Sequence, residues 1–97
     1  MIVRYKVKPD RAAENQRYIE AVFNELTTTA PAGLTYASFK LDDGVTFVHV
    51  ATIASESENP LFQTAAFKAF VAEVEDRCAE LPVTEMLHEV GSYRSSP

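Results

Sequence analysis

Polar and apolar residues alternate over the first eight positions. Val3, Tyr5 and Val7 fall on one side, and Ile2, Arg4, Lys6 and Lys8 on the other. A period of two predicts a strand over residues 2–8. Pro9 and Asp10 stop it, and Asp10 is placed to cap the next segment. The period then lengthens. Ala12, Ile19, Val22, Phe23 and Leu26 share a stripe, with Arg11, Glu14, Arg17, Glu20 and Glu25 elsewhere, so residues 11–29 read as an amphipathic helix. It ends in Thr27-Thr28-Thr29-Ala30-Pro31-Ala32-Gly33. Two β-rich runs, 34–41 and 45–54, are joined by Asp42-Asp43-Gly44, a hairpin signal. Ser55 to Glu58 reads as a polar loop. Asn59-Pro60 opens a second helix over Leu61 to Glu80, with Phe67, Phe70, Val71, Val74 and Cys78 on one stripe. Leu81-Pro82 closes it, and residues 83–93 read as the last strand. The chain is thus taken as one domain over 1–94 with a disordered tail at 95–97.

The order β-α-β-β-α-β predicts an α+β, ferredoxin-like fold: one antiparallel sheet with both helices on one face. The third strand is apolar on both sides, which a sheet with one wet face should not be. Val7 leads into the first helix, so Val3, Tyr5 and Val7 are assigned to the helix face and Arg4 to the open one. In the third strand Val48 and Val50 are assigned to the helices. Phe47, His49, Ala51 and Ile53 are assigned to the open face, with Leu34 and Tyr36 of the second strand. A one-residue slip in register would reverse this. Two helices cover one face only, so the second apolar face is expected to meet a second copy in a homodimer.

Composition narrows the classes. With 97 residues, 9 basic and 14 acidic side chains and a net charge of −5, the chain has no basic cluster for phosphate backbones, which argues against nucleic acid as a partner. No apolar run is long enough for a membrane span. The opening residues lack the form of a signal peptide. Cys78 is the single cysteine and can form no internal disulfide, so a reducing cytoplasm is the simplest compartment.

Candidate chemistry centres on His49, a polar residue in mid-strand. A neutral imidazole facing a cavity could act as acid, base or anchor; the alternative is a core histidine bonded to a neighbour. Tyr36 offers a phenol on the same face. Arg4 could take an anionic substrate oxygen, or pair with Glu85 or Glu89. Phe47 and Ile53 would supply apolar contacts to a substrate. Cys78 reads as a small core residue. Two histidines and one cysteine, in different elements, give no metal-ligand spacing, and no glycine-rich phosphate loop is present.

Several segments together carry a family resemblance. They are Phe47-Val48-His49-Val50-Ala51, then Asn59-Pro60-Leu61-Phe62 leading into Ala66-Phe67-Lys68-Ala69-Phe70, and Glu89-Val90-Gly91-Ser92-Tyr93-Arg94. With Lys8-Pro9 and Ala32-Gly33, they make residues 1–94 resemble the antibiotic biosynthesis monooxygenase family of the dimeric α+β barrel superfamily. The resemblance implies ferredoxin-like protomers paired through their sheets, with a ligand cavity on the open side. It also implies oxidation of small aromatic or polyketide-like compounds by dioxygen without a cofactor. Haem-degrading relatives use a histidine and a tryptophan where this chain has Leu61 and Ile53, which argues against that activity. On this reading His49 is the catalytic candidate and Tyr36, Arg4, Phe47 and Ile53 the substrate-binding ones. A non-catalytic ligand binder and a purely structural dimer on the same barrel are the alternatives.

Overall fold

The computed structural model describes residues 1–53 and 59–93. The polar loop read at Ser55 to Glu58 and the tail at 95–97 lie outside those residues. Strand β1 (Ile2–Val7) runs into a 3₁₀ turn, Pro9–Arg11, and then helix α1 (Ala12–Thr29). Strands β2 (Leu34–Lys40) and β3 (Thr46–Ile53) form the hairpin. A second 3₁₀ turn, Pro60–Gln63, precedes α2 (Ala65–Ala72), a single turn α3 (Val74–Arg77) and strand β4 (Cys78–Glu85). The strands lie in the order β2-β3-β1-β4, and every neighbouring pair is antiparallel. This is the ferredoxin-like α+β fold expected from the sequence.

Local chemistry explains most element ends. The hairpin turns at Gly44, whose φ of +78° suits a residue without Cβ. The Asp43 carboxylate locks that turn by accepting from the Val45 and Thr46 amides and the Thr46 hydroxyl. These bonds hold its carboxyl down at about 2. Asn59 accepts from the Leu61 amide, and Thr64 caps α2 by accepting from the Phe67 amide. Asp10 does not cap α1; it falls within the preceding 3₁₀ turn.

The second helix departs from its expected length. Glu73 leaves helical geometry at φ −126° and ψ 16°, and Cys78 is already extended. The reason is long-range pairing: Cys78 lies opposite Val7, and the Lys8 amide donates to the Arg77 carbonyl. Strand β4 therefore spans 78–85 rather than 83–93, and residues 86–93 carry no regular element. Leu81-Pro82 sits inside the strand. Proline is tolerated there because β4 is a sheet edge and its register with β1 is irregular nearby.

The face assignment of β3 is reversed. Val3 lies opposite His49 and Tyr5 opposite Phe47, and residues directly opposite share a face. Val3, Tyr5 and Val7 do face the helices, so Phe47, His49 and Ala51 face them too. Tyr36 and Leu34, opposite Ala51 and Ile53, lie on the same side. The open face instead carries Ile2, Arg4, Val48, Val50, Ala37 and Phe39, with Val83 from β4. Phe39 is 56% exposed and Val83 60%. The core between the layers is built from Tyr5, Val7, Ile19, Val22, Phe47, Leu61, Phe70 and Val74.

One carboxylate ties the helices together. Glu25 of α1 accepts from the Ala65 and Ala66 amides, at 3.0 and 2.9 Å, so it neutralises two of the free N–H groups that begin α2. Replacing Glu25 by alanine is expected to cost about 1 kcal/mol, a fall in Tm of roughly 4–8 °C for a domain of this size. Thermal unfolding followed by circular dichroism checks this, and an unchanged Tm would refute the clamp.

Candidate functional site

A cavity of about 520 Å³ lies between the sheet and the segment that runs from the second 3₁₀ turn through α2. This is within the range of about 300–1,000 Å³ that small-molecule sites occupy. Val3 and Ala51 form its sheet wall, and Leu61, Phe67, Phe70 and Val71 its helical wall. Tyr5, Tyr36 and His49 line it on one edge. The pocket is thus on the helix-packed side of the sheet, not on the open side.

That edge is part of a buried hydrogen-bond chain. Arg77 Nε donates to Asn15 Oδ1 at 3.0 Å, and Asn15 Nδ2 donates to the Tyr5 hydroxyl at 2.9 Å. The Tyr5 hydroxyl lies 2.7 Å from His49 Nε2. On the other side of the ring, His49 Nδ1 lies 2.8 Å from the Tyr36 hydroxyl and 2.6 Å from Ser38 Oγ. Arg77 and Asn15 are both fully buried. The Arg77 guanidinium sits 4.4 Å from the Tyr18 ring centroid and 5.2 Å from that of Phe70, and Nη2 donates to the Phe70 carbonyl.

The rings themselves form a near-parallel stack across the sheet. Phe47, Tyr5, His49, Tyr36 and Phe23 succeed one another with centroids 5.0–5.8 Å apart and planes within 14°. Register brings this about, because Phe47 and Tyr5 are opposite on β3 and β1, and β2 supplies Tyr36 next to His49. Burial dominates the acid–base behaviour. It lowers the His49 imidazole to about 4 and raises the Tyr5 and Tyr36 phenols above the ordinary tyrosine value.

The candidates read from the sequence are divided by this geometry. His49 and Tyr36 are brought together in the cavity. Arg4 is on the opposite face of the sheet, exposed, with no carboxylate within 4 Å among the described residues. Phe47 is in the core against Tyr5, and Ile53 lies opposite Leu34 at the end of β3; neither lines the cavity. Asn15, Arg77, Ser38 and the Tyr5 hydroxyl were not read as members of the site. A signal existed for two of them. Asn15 falls four residues before Ile19 and seven before Val22, and Arg77 falls seven after Phe70 and three after Val74. Each is a polar residue on an apolar helical stripe. Among the described residues no three His, Cys, Asp or Glu side chains group as metal ligands, and no helix is long and apolar enough to cross a membrane.

No family model matches the chain, and no curated protein matches it. Solved structures do. A candidate antibiotic biosynthesis monooxygenase of Caulobacter crescentus is 25% identical, with a TM-score of 0.72 over 93% of this chain and 87% of that one. Another from Nitrosomonas europaea is 17% identical, with a TM-score of 0.74 over 92% and 86%. A Mycobacterium tuberculosis protein is 18% identical, with a TM-score of 0.69 over 93% and 95%. The resemblance to antibiotic biosynthesis monooxygenases is thus carried by the fold over nearly the whole chain.

His49 links this site to stability. Its neutral form is favoured in the folded state, so the unfolded chain binds the extra proton between pH 6.5 and about 4. The stability it contributes is full above pH 6.5 and is lost as pH falls toward 4. The whole shift corresponds to about 3 kcal/mol. Urea unfolding at pH 7 and pH 5 should show a drop that His49→Gln largely removes. An equal drop in both proteins would refute the assignment.

Proposed function

We propose that this chain is a cofactor-independent monooxygenase of the antibiotic biosynthesis type, acting as a homodimer on a small aromatic or polyketide-like phenol. The observation that carries the reading is the apolar cavity with His49, Tyr36 and Tyr5 at one edge. Such a cavity takes a planar ring system by burial and fixes its orientation through one oxygen. The substrate, held as its anion, supplies the electrons. The ring C–H para to the oxygen becomes C=O, one atom of dioxygen enters the product and the other leaves as water. The substrate loses four electrons and dioxygen gains them. The chain's part is to exclude water, to orient the ring against Phe67 and Phe70, and to stabilise the substrate oxygen at the Tyr36–His49 edge.

One observation favours a second reading, a ligand binder that does no chemistry. His49 is a weak base at about 4, and both its ring nitrogens are already within hydrogen-bond distance of protein hydroxyls. Anthrone distinguishes the two. Under air, turnover predicts dioxygen uptake and anthraquinone formation, with Tyr36→Phe slower by about 10- to 100-fold. Anthrone that binds and is recovered unchanged at the buffer rate would sink the enzymatic reading.

The homodimer rests on the open sheet face. Phe39, Leu81 and Val83 are exposed there, and beyond β4 Met86, Val90 and Tyr93 are exposed as well. A second copy laid on this face would remove that apolar surface from water. Sedimentation at micromolar concentration should report a dimer, and Val83→Lys should shift it toward monomer. A monomeric parent protein would refute this part of the proposal.

A further inference from the structure

We propose that Arg77 is a positioning residue that fixes the direction of the buried hydrogen-bond chain, so that Tyr36 presents a donor to the cavity and the site selects ligands with an acceptor oxygen. The hydrogens are assigned one by one from the arginine. A guanidinium can only donate, so the Asn15 atom facing Arg77 Nε must be the carbonyl oxygen Oδ1. The Asn15 amide nitrogen is then turned to the Tyr5 hydroxyl and donates to it. Tyr5 accepts that bond, and among the described residues its own hydrogen has one neighbour left to receive it, His49 Nε2 at 2.7 Å. Were Nε2 protonated, the Tyr5 oxygen would face two donors, and its hydrogen would have no protein acceptor among the described residues. His49 therefore carries its hydrogen on Nδ1.

The consequence falls on the cavity. Nδ1–H faces the Tyr36 hydroxyl at 2.8 Å and Ser38 Oγ at 2.6 Å, and both must meet it as acceptors. The hydrogen of Tyr36 cannot return to His49. Ser38 also hydrogen-bonds Tyr36, and because Tyr36 lines the cavity and Ser38 does not, we assign Ser38 as the donor in that bond, which leaves the Tyr36 hydrogen for a ligand. The matching ligand group is a phenolate or a ketone oxygen. Arg77 sets this from the far end of the chain, through Asn15, Tyr5 and His49, without lining the cavity itself. The ligand half of this inference rests on the cavity being the binding site proposed above; the direction of the chain does not.

Long-range ¹⁵N NMR of the histidine ring tests the direction in the unmodified protein. The expected result is a pyridine-like Nε2 and a pyrrole-like Nδ1 for His49; the reverse pattern overturns the proposal. Asn15→Asp is nearly isosteric and gives Arg77 a carboxylate, but it can only accept. Tyr5 must then donate to it, and His49 should switch to the Nε2–H form. A His49 tautomer that stays unchanged in Asn15→Asp would show that Arg77 and Asn15 do not set the direction. For selectivity, 1-tetralone and tetralin are titrated into wild-type and Tyr36→Phe protein and monitored by amide shifts. The preference for the ketone should fall by about five-fold in Tyr36→Phe. An unaltered preference overturns the acceptor selection while leaving the measured tautomer to stand, and neither readout depends on turnover.

Discussion

The buried guanidinium of Arg77 is the constraint around which the rest is arranged. A charge with no carboxylate partner among the described residues is costly to bury unless other groups replace its water. Here two ring faces and two neutral acceptors do so for most of the group. Tyr18 and Phe70 offer their ring faces, and the Phe70 carbonyl is one that α2 leaves free near its C-terminal end, where positive charge is favoured. Asn15 accepts from Nε, which leaves Nη1 buried with no hydrogen-bond partner among the described residues. The Arg77 main chain meanwhile accepts from Lys8 at the exit of β1. One residue thereby joins the first strand, the first helix and the second helix, and it marks the point where helix gives way to β4.

From that point the polar chain and the ring stack run side by side. The hydrogen bonds pass from α1 through Tyr5 to His49 and Tyr36, and the rings of Phe47, Tyr5, His49, Tyr36 and Phe23 lie nearly parallel along the sheet. Stacking limits ring rotation, and the hydrogen bonds limit sliding, so the polar edge of the cavity is held before any ligand arrives. Apart from Lys68 and Thr84, the side chains lining the rest of the cavity are apolar, so that edge is its main concentration of polar groups.

Much of this fold was legible in the sequence because its signals are local. The alternation of Val3, Tyr5 and Val7, the amphipathic stripe of α1 and the Asp42-Asp43-Gly44 turn each act within a few residues. What failed depends on distant partners. The parity of β3 could not be read because Val48 and Val50 are as apolar as Phe47 and Ala51; pairing with β1 decides it. The end of the second helix was hidden because Val74 and Cys78 continue a helical period while Cys78 is taken up by Val7. His49 and Tyr36 stood out as polar groups among strand residues. Asn15 and Arg77 were overlooked because hydrophilic residues on a helix are ordinarily solvated, and only three-dimensional packing shows that these two are enclosed.

The burial of the three ring groups at the cavity edge has a further effect. His49 is neutral down to about 4, and the phenols of Tyr5 and Tyr36 are both pushed upward by the same enclosure. Across the physiological range none of the three changes charge, so this edge offers a ligand a constant electrostatic environment. A pH-dependent affinity for a phenolic ligand, within that range, would then report the ionisation of the ligand rather than that of these three groups.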